Sequence, residues 1–100
     1  MDSLKEKVTR VVAEYANAGS NARLFFTASR DGNLLTVVGT GKIKGQHFVT
    51  TALVVEISGN LVIVHQDLTD KIVADALMQA GIPRQQIILA YMGEPIPEAA

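Results

Sequence analysis

The sequence predicts a two-layer α+β fold: an N-terminal helix, a four-stranded antiparallel meander, a second helix and a final short strand that joins the sheet. Three observations predict it. Apolar residues recur at helical spacing near both ends, strand-like runs alternate with glycine-containing turns in the middle, and a short apolar run follows a glycine and a proline near the C-terminus. A chain of 100 residues forms one domain, residues 1–100.

The first helix is expected over residues 3–17. Ser3 and Glu6 have the spacing of a capping box, in which each side chain accepts a hydrogen bond from the backbone of the other residue. The apolar face consists of Leu4, Val8, Val11, Val12 and Tyr15. The residues that end the helix are Asn17, Gly19, Ser20 and Asn21.

The middle of the chain predicts four antiparallel strands. Asp31-Gly32 predicts a type I′ hairpin turn, in which both central residues take a positive φ. A bulge or bend is expected near Thr50-Thr51, in the long third strand. The four strands are Arg23 to Ser29, Leu34 to Gly39, His47 to Ile57 and Asn60 to His65.

A second helix is predicted after the fourth strand. Asp67 or Thr69 stands at the N-cap position, and Asp70 in the first turn, where a carboxylate interacts favourably with the helix dipole. Gly81 marks the left-handed C′ position, and Pro83 prevents the helix from continuing. The apolar face consists of Ile72, Val73, Ala76, Leu77 and Ala80.

The segment after Pro83 predicts a turn and a returning strand in preference to a binding loop. Ile87 to Ala90 form an apolar run without alternation, which is typical of a strand covered on both faces. A similar run extends from Leu61 to Val64. We therefore expect both strands to be central in the sheet, with helices over one face.

Composition restricts the class of protein. The chain is 48% hydrophobic and 19% charged, which is typical of a globular domain. It has no cysteine, so it forms neither a disulfide nor a thiolate metal site. The N-terminal sequence lacks the apolar core of a signal peptide, and no apolar run is long enough to span a membrane. We therefore expect a cytoplasmic protein without a membrane association.

The net charge of −1 conceals an asymmetry between the two halves of the chain. Residues 1–50 hold seven Lys/Arg and four Asp/Glu, a balance of +3, whereas residues 51–100 hold two and six, a balance of −4. Sequence-independent DNA binding needs a clustered excess of Lys and Arg, which the total does not supply. The opposite charges of the halves favour a protein partner or a homo-oligomer.

Few residues suggest catalysis. His65 and Asp67 stand at a strand end, with Glu56 across the predicted turn at 58–60, and together they form one hypothesis for an enzyme site. The simpler interpretation is a half-exposed histidine and a helix cap. Gly39 to Lys42 lacks the spacing of a phosphate-binding loop and predicts a flexible hairpin. We expect no enzymatic activity, no metal and no cofactor.

The C-terminal half of the chain resembles the XisI family. The resemblance is specific between residues 54 and 93, because residue types, order and spacing agree over several stretches, and the first helix is similar to the start of the family. The stretches are Val54 to Ile57 with Gly59, Asn60 to Asp67, Thr69 to Lys71, Asp75 to Leu77, Gln79 to Arg84 and Ile87 to Tyr91.

XisI-family proteins are typical of filamentous cyanobacteria and are named as controlling factors for excision of the fdxN element. The resemblance therefore implies a non-enzymatic accessory role in DNA recombination. It also implies a companion protein of the XisH type as the partner, with a recombinase and DNA involved indirectly. The family supplies no established site residues. The alternative is a small DNA-binding module that uses the basic first helix and the 41–45 hairpin.

The candidate interaction surface combines charged loops with the apolar C-terminal segment. The lysines of the hairpin form a small basic tip, and the acidic residues stand at the N-cap and in the first turn of the second helix. The segment after the last strand predicts either an adaptable apolar anchor or a frayed terminus. The surface consists of Lys42, Lys44, Asp67, Asp70, Lys71, Arg84, Tyr91 and Met92.

Overall fold

The computed structural model describes residues 3–17 and 22–97, and it confirms the α+β fold. The helices are α1 (Leu4–Glu14) and α2 (Val73–Gln79), with short 3₁₀ helices at Tyr15–Asn17, Arg84–Gln86 and Ala90–Met92. The strands are β1 (Ala22–Ala28), β2 (Leu34–Ile43), β3 (Gln46–Ser58), β4 (Leu61–Asp67) and β5 (Ile87–Leu89).

The predicted capping box begins α1. Ser3 Oγ accepts a hydrogen bond from the Glu6 amide at 3.1 Å, and Glu6 Oε1 accepts one from the Ser3 amide at 3.4 Å. The α-helix ends at Glu14, earlier than predicted, and a 3₁₀ turn continues it to Asn17. The predicted stop at Gly19, Ser20 and Asn21 lies outside the described residues.

The five strands form one sheet in the order β1-β2-β3-β4-β5. Neighbours are antiparallel from β1 to β4, whereas β5 runs parallel to β4. Val37 pairs with Leu53 and Val38 with Thr51, so Ala52 is an extra residue in β3. This bulge confirms the bend predicted near Thr50-Thr51.

The prediction of β5 as a central strand is wrong, because β5 lies at the edge of the sheet. Its apolar run has another cause. Ile87 is buried in the core and Ile88 and Leu89 are half-buried, so both faces of this short edge strand are largely covered.

The first hairpin turn differs from the predicted type I′. Gly32 has a φ of +77°, but Asp31 does not have a positive φ. The Asp31 carboxylate instead accepts hydrogen bonds from Ser29 Oγ at 2.6 Å and from the Asn33 amide at 3.0 Å. These bonds organise a wider loop, so the local polar network decides the turn type.

The second hairpin has the geometry that was predicted for the first. Lys44 and Gly45 have φ values of +52° and +80°, as a type I′ turn requires at both central residues. Gly39 to Lys42, predicted to be a flexible hairpin, is instead extended backbone within β2. The β2–β3 hairpin is therefore a long arm with a tight tip.

Helix α2 begins at Val73, later than predicted, so Asp70 precedes the helix and Asp75 occupies its first turn. Its C-terminus is as predicted. Gly81 has a φ of +99°, and the Ile82 amide donates to the Leu77 carbonyl at 3.1 Å. This is a Schellman motif, in which a left-handed residue satisfies the last carbonyls of the helix.

Both helices pack on the same face of the sheet. The core unites buried residues of α1 and α2 with alternate residues of the strands, and its fully buried members include Val8, Val12, Leu35, Leu53 and Leu77. The other face carries exposed Phe25 and Leu34. No helix within residues 3–17 and 22–97 is long and apolar enough to cross a membrane.

Candidate functional site

The connection between β4 and α2 forms a surface that we call the acidic corner, defined as residues 67–72 together with Tyr91 and Met92. Asp67 organises it. One carboxylate oxygen accepts bonds from the Thr69 amide and hydroxyl at 2.9 and 2.5 Å, and the other accepts from the Val73 amide at 2.8 Å. Asp67 therefore caps α2 from six residues away, which satisfies a free amide of the first turn.

Tyr15 attaches α1 to this corner. Its hydroxyl donates to the Lys71 carbonyl at 2.6 Å, and the Thr69 hydroxyl is 2.8 Å from the same carbonyl. Burial, reinforced by the negative charges of Asp67, Asp75 and Glu14, raises the pKa of Tyr15 to about 12. The tyrosine therefore stays neutral and keeps donating at physiological pH.

Apolar side chains are unusually exposed at the acidic corner. Leu68 is 65% exposed, Ile72 50% and Met92 69%. Tyr91 is close enough to Asp67 that burial, together with this carboxylate, raises the pKa of its hydroxyl. The corner thus combines carboxylates with unpaired apolar surface, which is the composition of an interface that favours a partner with a basic and apolar face.

Two of these residues were not predicted as site residues. Ile72 was assigned to the buried face of α2, but the late start of the helix leaves it exposed. Leu68 is a single apolar residue between polar neighbours, and nothing in the sequence distinguishes it from a core residue. The local sequence pattern could not predict the exposure of Ile72 or Leu68, because that exposure depends on how the connection between β4 and α2 folds.

Arg84, predicted as part of the interaction surface, makes hydrogen bonds within the chain. Its guanidinium donates to the Ile87 carbonyl and to the Glu94 carboxylate, both at 2.6 Å. Glu94 also accepts from the Leu89 amide at 2.8 Å. These bonds hold the segment after β5 against the strand, so the 3₁₀ helix Ala90–Met92 is fixed where it presents Tyr91 and Met92.

Lys42 and Lys44 lie apart from the acidic corner, at the tip of the β2–β3 arm. The arm extends past β4, because β4 pairs with β3 only from Leu53, and the described part of β1 pairs with β2 as far as Gly41. Ile43 at the tip is 61% exposed. The structure therefore divides the predicted surface into a basic tip and an acidic corner.

The basic residues proposed for DNA binding also lie at separate places. Lys5 on α1 donates to the Asp31 carbonyl at 2.8 Å, next to the start of β2, whereas Lys42 lies near its other end. Eight residues of strand separate the two ends, about 27 Å. The first helix and the hairpin tip do not form one continuous basic stripe.

The histidine cluster proposed for catalysis is only partly assembled. His65 Nε2 lies 2.8 Å from Glu56 Oε1, as expected across the β3–β4 turn. Asp67 is not part of it, because its carboxylate is occupied at the N-terminus of α2. Within residues 3–17 and 22–97, no three His, Asp or Glu side chains are grouped so that they could hold a metal ion.

An open groove of about 400 Å³ runs between the two helices beside the acidic corner. It shares Lys71 with the corner and is also lined by Tyr15, which donates to the Lys71 carbonyl, so a partner bound at the corner would have this groove next to it. Its other lining residues are Arg10, Val11, Glu14, Ala76, Gln79 and Ala80.

These features define an α+β protein in which both helices cover one face of a four-stranded antiparallel sheet, extended by one parallel edge strand. The sequence matches the family model described as XisI protein over residues 1–97. The chain therefore belongs to the XisI family, as its C-terminal half predicted.

Solved structures show the same fold. A XisI-like protein from Anabaena variabilis ATCC 29413 has a TM-score of 0.73 and 20% identity, covering 87% of this chain and 85% of that one. The fdxN element excision controlling factor XisI from the same organism has a TM-score of 0.68 and 15% identity, covering 87% and 88%. A search of curated proteins finds no match.

Proposed function

We propose that this chain is a non-enzymatic accessory factor in the excision of a DNA element and that it acts through a protein partner. Membership of the XisI family supports the biological context, and a structurally similar protein is described as a controlling factor for excision of the fdxN element. The partner is a companion protein of the XisH type, which links this chain indirectly to a recombinase and to DNA.

The acidic corner carries the proposal. Leu68, Ile72 and Met92 are each at least half exposed, and Asp70 places a negative charge among them. Central apolar anchors supply most of the affinity of an interface, whereas the surrounding charges set orientation and association rate. We therefore assign the companion a basic surface around an apolar pocket.

Excision in cells tests the proposal. Deleting this chain should abolish or strongly reduce excision of the element, and the wild-type gene should restore it. Met92→Glu should fail to restore excision, because it introduces a charge into the apolar part of the corner. Leu34→Glu, at a residue 41% exposed on the opposite face, is the matched control and should restore it. Unchanged excision without the chain would refute the proposal.

A salt titration with double-stranded DNA separates this function from the DNA-binding alternative. Direct phosphate contacts cause a steep loss of affinity as salt rises. We expect no specific binding by the purified chain at low salt, since its basic groups are separated. Tight binding with a steep salt dependence would favour the alternative.

A further inference from the structure

The β2–β3 arm carries an unpaired strand edge. β4 pairs with β3 only from Leu53 to Ser58, so the first part of β3, residues 46–52, has a strand neighbour on one side only among the described residues. This stretch contains no Lys, Arg, Asp, Glu or Pro. Proteins normally protect long edges with such residues, so an unprotected edge indicates a pairing site.

The free backbone groups of this edge can be assigned. A two-residue turn makes Ile43 and Gln46 a hydrogen-bonded pair between β2 and β3. Hydrogen-bonded and non-hydrogen-bonded pairs alternate along the strands, so the backbone N–H and C=O groups of His47, Val49 and Thr51 point away from β2. The Thr51 carbonyl accepts from the Gln66 side chain, and the Ala52 carbonyl from the Leu68 amide. The outward groups of His47 and Val49 are therefore the ones available for a further strand.

We propose that a second copy of this chain occupies the edge, with residues 46–50 of the two copies paired antiparallel about a two-fold axis at Phe48. In this register His47 of each copy pairs with Val49 of the other, which satisfies the outward N–H and C=O groups of both residues in each strand. A two-fold pairing of this kind is self-complementary and closes after two subunits.

Side chains near the axis support the register. Phe48 lies opposite Gly41 of its own hairpin, so no cross-strand side chain covers it there. Its mate in the second copy would meet it as a non-hydrogen-bonded pair, the closest kind of side-chain contact between antiparallel strands.

Charge complementarity selects a second copy as the occupant. The register brings Lys44 at the tip of one arm to the level of Ala52 in the other copy, where the Leu68 amide donates to the Ala52 carbonyl, so the tip meets Leu68 and the acidic corner of that copy end-on. Ile43 at the same tip is 61% exposed and Leu68 65%, so an apolar contact accompanies the charge pair with Asp70. β5 and the loop after it lie on the far side of β4, which leaves Met92 accessible to a different partner.

A single-cysteine experiment tests the register, because the chain has no natural cysteine. Phe48→Cys should form a disulfide-linked dimer on mild oxidation, since the two Cα atoms on the axis would be about 4.5 Å apart, within disulfide range. Val49→Cys is the matched control. Val49 is 62% exposed, but its symmetry mate is displaced along the strand. Crosslinking of Phe48→Cys should be faster by about tenfold or more; equal rates would overturn the proposal.

Sedimentation of the purified chain tests association itself. We expect a dimer of the 10.7 kDa chain at concentrations of about 10–100 µM, as suits a small interface. Val49→Pro removes one outward amide without disturbing the bonds to β2, and should give a monomer with an unchanged circular dichroism spectrum. Val49→Thr keeps the amide and should stay dimeric. A monomeric wild-type chain would overturn the proposal, even if the edge accepted a strand from another protein.

A charge exchange tests the end contact. Lys44→Glu should weaken dimerisation by about fivefold to tenfold, and adding Asp70→Lys in the same chain should recover most of the loss. A double variant as weak as Lys44→Glu would contradict the contact. None of these measurements involves the companion protein or DNA, so their outcome is independent of the proposed function.

Discussion

Gly81 shows how one residue defines the end of an element. Its φ of +99° favours glycine, and an added Cβ would come no closer than 3.8 Å to Lys7 Nζ. The cost of a side chain is therefore backbone strain and not crowding. Gly81→Ala should lower the free energy of unfolding by about 1 kcal/mol or more, whereas Gly81→Asn, which tolerates the left-handed region, should lose less.

Chemical denaturation of the two variants measures the difference. Equal losses for alanine and asparagine would show that the left-handed backbone of Gly81 is not the cause.

The contacts of Glu94 determine the direction in which the stability of the protein changes with pH. The bond from the Leu89 amide, followed by those from Arg84, holds the pKa of Glu94 below its ordinary 4.5. The stabilisation is therefore complete above pH 4.5 and is lost as pH falls through the lower folded value. The Tm of wild type should exceed that of Glu94→Gln at neutral pH, and the difference should shrink in acid. A pH-independent difference would contradict this assignment.

The residues that sequence analysis predicted correctly act on their own neighbours in the chain. Ser3 with Glu6 and Gly81 form caps within a few residues, so their spacing carries the information. Asp31 was misassigned because its carboxylate bonds to Ser29 and Asn33 and widens the turn. Asp67 was correctly predicted to cap the second helix, but its distance of six residues from the first helical residue was not predicted.

At the scale of elements, Tyr15 connects α1 to the acidic corner. Tyr15→Phe removes the hydrogen bond to Lys71 and should cost about 0.5–1.5 kcal/mol at neutral pH. The raised pKa adds an alkaline signature: above pH 10.0 the unfolded tyrosine ionises, whereas the folded one stays neutral until about 12. Wild type therefore loses this stabilisation as pH rises through that interval.

The difference in unfolding free energy between wild type and Tyr15→Phe isolates this effect from the titration of lysines, which both proteins share. It should fall as pH rises from 10.0 to about 12. A difference that does not change with pH would show that Tyr15 has the same pKa in the folded and unfolded states.

The sequence predicted which strands pair better than it predicted where each strand lies in the sheet. Local turn signals order the four antiparallel strands along the chain, so the meander follows from sequence. The edge position of β5 does not, because the chain crosses over through α2 before pairing in parallel with β4. The open edge of β3 had a signal that was not used: the predicted third strand was nearly twice as long as the fourth, which leaves part of it without a partner.

At the scale of the whole molecule, two surfaces remain after the core is formed. The β3 edge offers backbone hydrogen bonds and suits a second copy, whereas the acidic corner offers apolar side chains and carboxylates and suits a basic companion. The two contacts overlap at Leu68 and Asp70, which meet the arm tip of the other copy in the proposed dimer, whereas Met92 follows β5 and lies across β4 from the edge of β3. A two-fold dimer would therefore present to the companion only the part of each acidic corner around Ile72 and Met92.

Calorimetric titration of the purified chain with its XisH-type companion tests the central claim most directly. We predict binding at roughly micromolar Kd, a loss of about tenfold or more for Met92→Glu, and an unchanged Kd for the control Leu34→Glu. No binding at about 100 µM, or equal affinities for wild type and Met92→Glu, would contradict it.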